Sequence, residues 1–280
     1  MNDPPPDALP DLRAEIDRID AVMHRLLIER GEIIHRLIEA KARQGGGSAF
    51  RPGREADMMR GLVSRHHGLL PLDTVESVWR IIISTFTFIQ SNYSVHADIS
   101  GGDAAMRDSC RFHFGFTVPY VPHKSAPEVV GAVANSGGDL GIVRAGRHAS
   151  AWWRPLSLPE APKIIARLPF VERPDHPAGM PVFVVSKPLA EAAARDVILY
   201  SVSVQASSLE RRSLLSASGL EIVAMCEEGA NLFLLIAAGH ETADLANILK
   251  RAGALNLRIA EIGSHAARFD VSHTQTLAAQ

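Results

Sequence analysis

Apolar residues recur at steps of three and four from Leu12 to about Arg43: Ile16, Ile19, Met23, Leu26, Leu27, Ile33, Ile34, Leu37 and Ile38. That spacing predicts one long amphipathic helix. Pro10 stands just before it, and Gln44-Gly45-Gly46-Gly47-Ser48 ends it. At 1.5 Å per residue the helix is roughly 45 Å long. A small lone bundle cannot cover that length, so the pattern implies a partner chain; a bare coiled-coil module is the plainer alternative. Pro52 opens a second helix, from Gly53 to about His67, broken by Gly68 and Pro71. Asp73 or Thr74 caps a third, through Val78, Trp79, Ile82, Ile83, Phe86 and Ile89 to about Tyr93.

After His96 the period changes to α/β alternation. Thr117–Val121 reads as a strand, Ala126–Ala134 as a helix ended near Gly137-Gly138, and Leu140–Val143 and Pro181–Ser186 as strands. Ser100–Asp103, with its paired glycines, reads as a linker. From Asp196 the pattern is strand Val197–Val204, helix Leu209–Ala217, strands Leu220–Cys226 and Asn231–Ala238, helix Glu241–Ala252 and strand Leu257–Ile262. The order βαββαβ is the ferredoxin-like unit. The whole is thus a multidomain α plus α/β chain, with a helical domain over 1–97, an α/β segment over 104–190 and a ferredoxin-like module over 196–268.

Composition narrows the chemistry. The 280 residues are 46% hydrophobic and 21% charged, with a formal net charge of −2. A near-neutral chain has no general field for nucleic acid or an anionic membrane, so any anion site must be local. The two cysteines, Cys110 and Cys226, match no metal-ligand spacing and suit a reduced, cytoplasmic protein. The start, MNDPPPDALPD, has neither a basic nor an apolar signal region, and the apolar runs fall short of a membrane span. No metal or cofactor is expected.

Local charge is concentrated on the helices: Arg13, Arg30 and Lys41 on the first, Arg54 and Glu55 at the head of the second, Gln90 on the third. Residues eleven apart differ by about 20° of rotation, so Arg30 and Lys41 share a face, whereas Arg13 is turned from Arg30 by roughly 100°. Cations on two faces of one helix can serve two sites, as a symmetric dimer supplies. Phe86 and Gln90, four apart, are neighbours on their helix.

The pieces LRAEIDRID (12–20), IERGEIIHRLIEAK (28–41), FRPGREADMM (50–59) and FIQ (88–90) resemble the all-helical chorismate mutase domain in the version fused to prephenate dehydratase. The resemblance implies an intertwined homodimer that rearranges chorismate to prephenate in aromatic amino acid biosynthesis, an isomerase of the shikimate pathway. It implies that Arg30 and a partner-chain Arg13 grip the two carboxylates, that Lys41 and Gln90 face the ether oxygen, that Glu55 holds the ring hydroxyl, and that Arg54 supports it. Those residue types suit the reaction, which is pericyclic and needs no nucleophile or metal. The enzyme has to hold a compact conformer and stabilise charge growing on the breaking C–O oxygen. One such donor is worth about 3–4 kcal/mol of barrier. Phe86 departs from the pattern, standing where many members carry a small or hydroxyl residue beside a carboxylate.

Residues 104–145 are similar to the start of the dehydratase domain, but its Pro-x-Glu-Asn-Ser loop here reads Arg144-Ala145-Gly146-Arg147. Met180-Pro181-Val182-Phe183 replaces its Thr-Arg-Phe, and only Ala151–Gly179 remains for a second lobe. Residues 196–266 resemble the regulatory ACT module, with Ala206-Ser207-Ser208-Leu209 and Ala224-Met225-Cys226-Glu227 in place of its ligand-contact signatures. The expectation is a mutase with a truncated dehydratase-like segment and an ACT-like module. The rivals are a bifunctional mutase–dehydratase and a non-catalytic regulatory scaffold that binds aromatic metabolites.

Other motifs have plain readings. Arg144, Arg147 and Arg154 with Trp152-Trp153 read as a solvated loop whose tryptophans dock on a neighbouring domain, rather than an anion pocket. His66-His67 reads as placement at a helix C-terminus rather than a metal pair. Gly101-Gly102 and Gly137-Gly138 read as turns, and Cys110 with His113 lacks the third group of a nucleophile relay.

Overall fold

A computed structural model describes residues 9–43, 50–146, 148, 150–188, 194–205, 220–239 and 242–271; the side chains of 41–43 and 243 lie outside that description. The chain divides into two compact units, Met1–Gly47 and Ser48–Gln280.

The described residues of the first unit form one unbroken helix, α1 (Leu9–Arg43). Its apolar stripe is exposed along its length: Ile16, Ile19, Met23, Leu26, Ile33 and Leu37 are each more than a third accessible. Helix formation alone cannot account for such a stripe, because most helical stability comes from packing an apolar face.

The second unit begins with α2 (Pro52–Arg65) and α3 (Leu72–Gln90). Pro52 fits the first helical turn, where its missing N–H costs nothing. An α/β layer follows: β1 (Val95–Asp98), α4 (Asp103–Phe114), β2 (Tyr120–His123), α5 (Ala126–Asn135) and β3 (Leu140–Arg144). Then come a 3₁₀ turn at Arg154–Ser157, β4 (Lys163–Leu168), β5 (Val171–Glu172) and β6 (Val182–Ser186). The last stretch is β7 (Val197–Gln205), β8 (Glu221–Glu228), β9 (Asn231–Ala238), α6 (Thr242–Arg251), β10 (Leu255–His265) and β11 (Phe269–Asp270).

Among the described residues nine strands form one sheet, in the order β2-β1-β3-β6-β4-β10-β7-β9-β8. β1, β2 and β3 are parallel, whereas β7 to β10 pair antiparallel with one another. The two halves join where β10 meets β4 at Gly263 and Ile164. Gly263 has φ +151°, and a Cβ there would overlap the Ile164 carbonyl oxygen, so the junction requires glycine.

Three cores follow from strand alternation. Phe50, Met59, Leu62, Val75 and Ile83 of the helical stretch share a core with Val95, Met106, Phe114, Ile165 and Phe170. On the opposite face, α5 and the Trp152-Trp153 turn pack with Phe183, Leu235 and Ile262. Under α6, Leu245 and Leu249 meet Tyr200, Val202, Leu234 and Ile236. β9 feeds two cores, its odd positions one and its even positions the other, which explains its uninterrupted apolar run.

Several sequence expectations are corrected. The third helix stops at Gln90, and Val95–Asp98 is a strand. Ser100–Asp103, read as a linker, is the turn from β1 into α4; Ile99 O accepts from the Gly102 amide. Helix α4 and strand β4 had no counterpart in the sequence reading, and the strand read at Thr117–Val121 lies at Tyr120–His123. The helix expected over Leu209–Ala217 lies outside the described residues.

Candidate active site

Arg13 and Arg30 lie on the same straight helix, seventeen residues apart, which is about 25 Å along the axis. Arg13 is exposed and Arg30 is half-buried. Lys41 stands in the last turn of α1, its side chain outside the description. No ligand of a few ångströms can touch Arg13 and Arg30 of one chain together. This spacing is the plainest constraint that the first unit puts on a site.

In the second unit, Arg54 is exposed in the first turn of α2 and Glu55, next to it, is buried. The Glu55 carboxylate takes a 2.8 Å hydrogen bond from Arg80 Nη1. Arg80 is itself buried on α3 and also donates to the His113 carbonyl oxygen, from Nε at 3.3 Å and Nη2 at 3.1 Å. Sequence reading missed Arg80. The available signal was a lone arginine inside the apolar run Val78-Trp79-Arg80-Ile81-Ile82, four residues after Glu76. Phe86 and Gln90 are both half-buried, and Gln90 Nε2 donates to the Phe86 carbonyl oxygen at 3.0 Å.

A second charged group lies beside this one. Glu76, buried on α3, has His176 Nε2 at 3.2 Å and Arg173 Nη2 at 3.8 Å. His113 is stacked on His176, ring centroids 6.2 Å apart, and neither of its ring nitrogens has a hydrogen-bond partner among the described residues. Burial, with the Arg80 charge behind it, holds the His113 imidazole well below the ordinary histidine range, so it is neutral. Burial also raises the Tyr93 phenol, with the Glu55 charge adding to it. The Cys110 thiol is pushed up to about 12 by burial, which makes it inert as a nucleophile.

Trp152 and Trp153 are buried against the sheet. Arg154 lies over the Phe233 ring and 3.6 Å from Glu228; Arg144 reaches the Gly101 carbonyl oxygen; Arg147 is outside the described residues. The rings of His66 and His67 each engage a nearby backbone carbonyl, of Leu70 and Arg65. Among the described residues no group of three or more His, Cys, Asp or Glu could hold a metal ion, and no helix is long and apolar enough to cross a membrane.

Within the second unit, the buried Glu55 carboxylate at the head of α2 is held by Arg80 of α3, a charged group built on two helices. Residues 12–91 match the family chorismate mutase type II. The N-terminal helical segment is therefore a chorismate mutase-type domain. A bifunctional chorismate mutase/prephenate dehydratase of Aquifex aeolicus is 27% identical over 141 residues, covering 49% of this chain and 38% of that protein. The protein of the same description from Neisseria gonorrhoeae is 38% identical over 72 residues, covering 26% of this chain and 19% of its own. The chain thus spans well under half the length of these relatives. Among solved structures, a prephenate dehydratase from Streptococcus mutans aligns over 63% of this chain and 99% of its own, at 11% identity and a TM-score of 0.40. GqqA, described as a novel type of quorum quenching acylase, aligns over 61% and 93%, at 16% identity and a TM-score of 0.39. Both scores are too low to establish a shared fold.

Proposed function

We propose that the protein is a chorismate mutase that works as a cytoplasmic homodimer without cofactor. The observation that carries the reading is the separation of Arg13 and Arg30 on one continuous helix within the segment matching the mutase family. Both cations can reach one chorismate only if each chain lends its Arg13 to the other chain's site. The exposed apolar stripe of α1 supplies the surface for that pairing. In the proposed site Arg30 and the other chain's Arg13 hold the two carboxylates. Lys41 and Gln90 donate to the ether oxygen as it gains charge, Glu55 takes the ring hydroxyl, and Arg54 supports the head of α2. Phe86 forms an apolar wall. Arg80 is the positioning residue that fixes Glu55.

The proposed functional segments are a mutase domain over 1–97, a truncated dehydratase-like segment over 104–190 and an ACT-like module over 196–268. The strand order β10-β7-β9-β8, with α6 on one face, supports a ferredoxin-like arrangement for the last. The bifunctional descriptions of the relatives favour a second reading, in which the chain also dehydrates prephenate. Against it stand Arg144-Ala145-Gly146-Arg147 and Met180-Pro181-Val182-Phe183 in the places of the dehydratase signatures. One assay tests both: loss of chorismate absorbance on adding protein, with phenylpyruvate measured before and after acid. The first reading expects chorismate loss and phenylpyruvate only after acid. Chorismate loss no faster than in buffer would overturn it, and phenylpyruvate formed at neutral pH would establish the second.

A further inference from the structure

A cleft of about 1030 Å³ opens between α5, the 150–162 loop and the β7–β10 ladder, and none of its lining residues belongs to the proposed mutase site. Its walls differ in chemistry. Pro127, Val130 and Ala134 sit three and four apart on α5 and present one apolar face. Trp152, Leu158 and Pro162 continue that surface along the loop. The sheet wall is polar. Arg258 on β10 is paired directly with Ser203 on β7, and Ala260 with Ser201, so Arg258 and the two serines lie on one face of the ladder.

Charge on the lining is unbalanced in one place. Arg154 is engaged, over Phe233 and near Glu228. Arg258 makes no ion pair with a described residue, and it lies beside two hydroxyls and the small Ala260. A guanidinium fork flanked by hydroxyl donors is the arrangement that recognises a carboxylate. The Trp152 side chain lines the cleft and is itself buried, 2% exposed. Gly131 completes the shape. It lines the cleft from α5, and a Cβ there would meet nothing within 4 Å, so the helix leaves open space where most residues would fill it.

We infer that this cleft binds a small organic carboxylate with an apolar body, the carboxylate on Arg258, Ser201 and Ser203 and the body against α5 and Trp152. Its volume is just above the ordinary range of small-molecule sites; Arg258, Ser201 and Ser203 converge on the sheet wall, while the other two charged lining residues, Arg154 and Glu228, lie 3.6 Å apart and offset each other. The site is independent of the mutase reading.

The test is calorimetric titration of the full-length protein with 3-phenylpropanoate, an apolar ring on a short carboxylate. Saturable binding is expected, weakened about tenfold or more by Arg258→Ala, since a charged hydrogen-bonded contact is lost. Gly131→Leu should block the cleft and weaken binding at least as much, while the neutral 3-phenylpropanol should bind about tenfold or more worse than the acid. Arg30→Ala, in the proposed mutase site, should bind the acid as wild type does. Absence of saturable binding up to about 10 mM overturns the inference. So does wild-type affinity in Arg258→Ala with an unchanged thermal melt, or loss of binding in Arg30→Ala, which would put the probe in the mutase site. If Gly131→Leu does not fold, Arg258→Ala and the alcohol decide.

Discussion

Arg80 on α3 and Glu55 on α2 form a buried ion pair, 2.8 Å apart, and the Arg80 guanidinium also ties α4 through the His113 carbonyl oxygen. Breaking such a pair from one side leaves an uncompensated charge in the interior, which costs about 3–5 kcal/mol. Arg80→Leu is therefore expected to lower unfolding free energy by that order in urea titration. The double variant Glu55→Met/Arg80→Leu should recover much of the loss, because it leaves no lone charge. Equal losses in the single and double variants would show that the pair is not coupled.

His113 sets a pH dependence with a definite sign. Its folded pKa is depressed below the ordinary histidine value of about 6.5 by burial first, then by Arg80 and His176. Below that value the unfolded chain takes up a proton that the folded chain refuses, so stability is present above it and is lost as pH falls. His265, depressed mainly by burial, adds in the same direction. Unfolding free energies from urea titrations between pH 7 and 5 should fall with pH, at up to about 1.4 kcal/mol per pH unit for each such histidine. His113→Phe should flatten the slope by the His113 share; an unchanged slope would place the titration elsewhere.

The long helices were legible because their apolar stripes run for several turns, and β9 because both its faces are buried. Helix α4 was not, for a physical reason. Among its buried positions, Ser109 and His113 are polar, so the stripe carried only by Met106, Cys110 and Phe114 is too thin to read. β1 is four residues long with His96 and Asp98 on one face, and β4 carries Lys163 and Arg167 among its apolar residues. Of the proposed site, the helix residues form a charge pattern visible in the sequence. Arg80 was not, since its purpose appears only when α2 brings Glu55 beside it.

Gly263 joins the two halves of the sheet at a backbone conformation that L residues avoid. Such strain alone costs roughly 1–3 kcal/mol for a side chain, and overlap with the Ile164 carbonyl adds to it. Gly263→Ala should lower the melting temperature and sharply increase amide hydrogen exchange in β4 and β10. Exchange confined to loops, with those strands still protected, would contradict a junction held by close approach.

The proposed dimeric site makes a complementation prediction. Arg13→Ala and Lys41→Ala should each be inactive as homodimers. Mixed and allowed to exchange subunits, they should regain activity, because one of the two sites in each mixed dimer has both residues intact. Native mass spectrometry verifies exchange. Verified heterodimers without activity would mean that one chain supplies both residues, which conflicts with their spacing of about 42 Å, twenty-eight residues along α1.

Gln90 carries the sharpest chemical claim. Its amide nitrogen donates to the Phe86 carbonyl oxygen at 3.0 Å, one turn back on α3. In the proposed site this amide donates to an ether oxygen that gains charge in the transition state. An amide donates at any pH. A carboxyl in its place donates only while protonated, and in its ionised form it repels the same oxygen. Gln90→Glu should therefore retain activity at low pH and lose it as pH rises through the pKa of the new carboxyl, giving a descending profile in kcat that the wild-type protein lacks. Gln90→Ala should lower kcat by about a hundredfold or more at every pH, the usual loss for one transition-state donor. A Gln90→Glu profile parallel to wild type, or a Gln90→Ala variant within a few-fold of it, would remove Gln90 from the ether oxygen and leave Lys41 as the donor there.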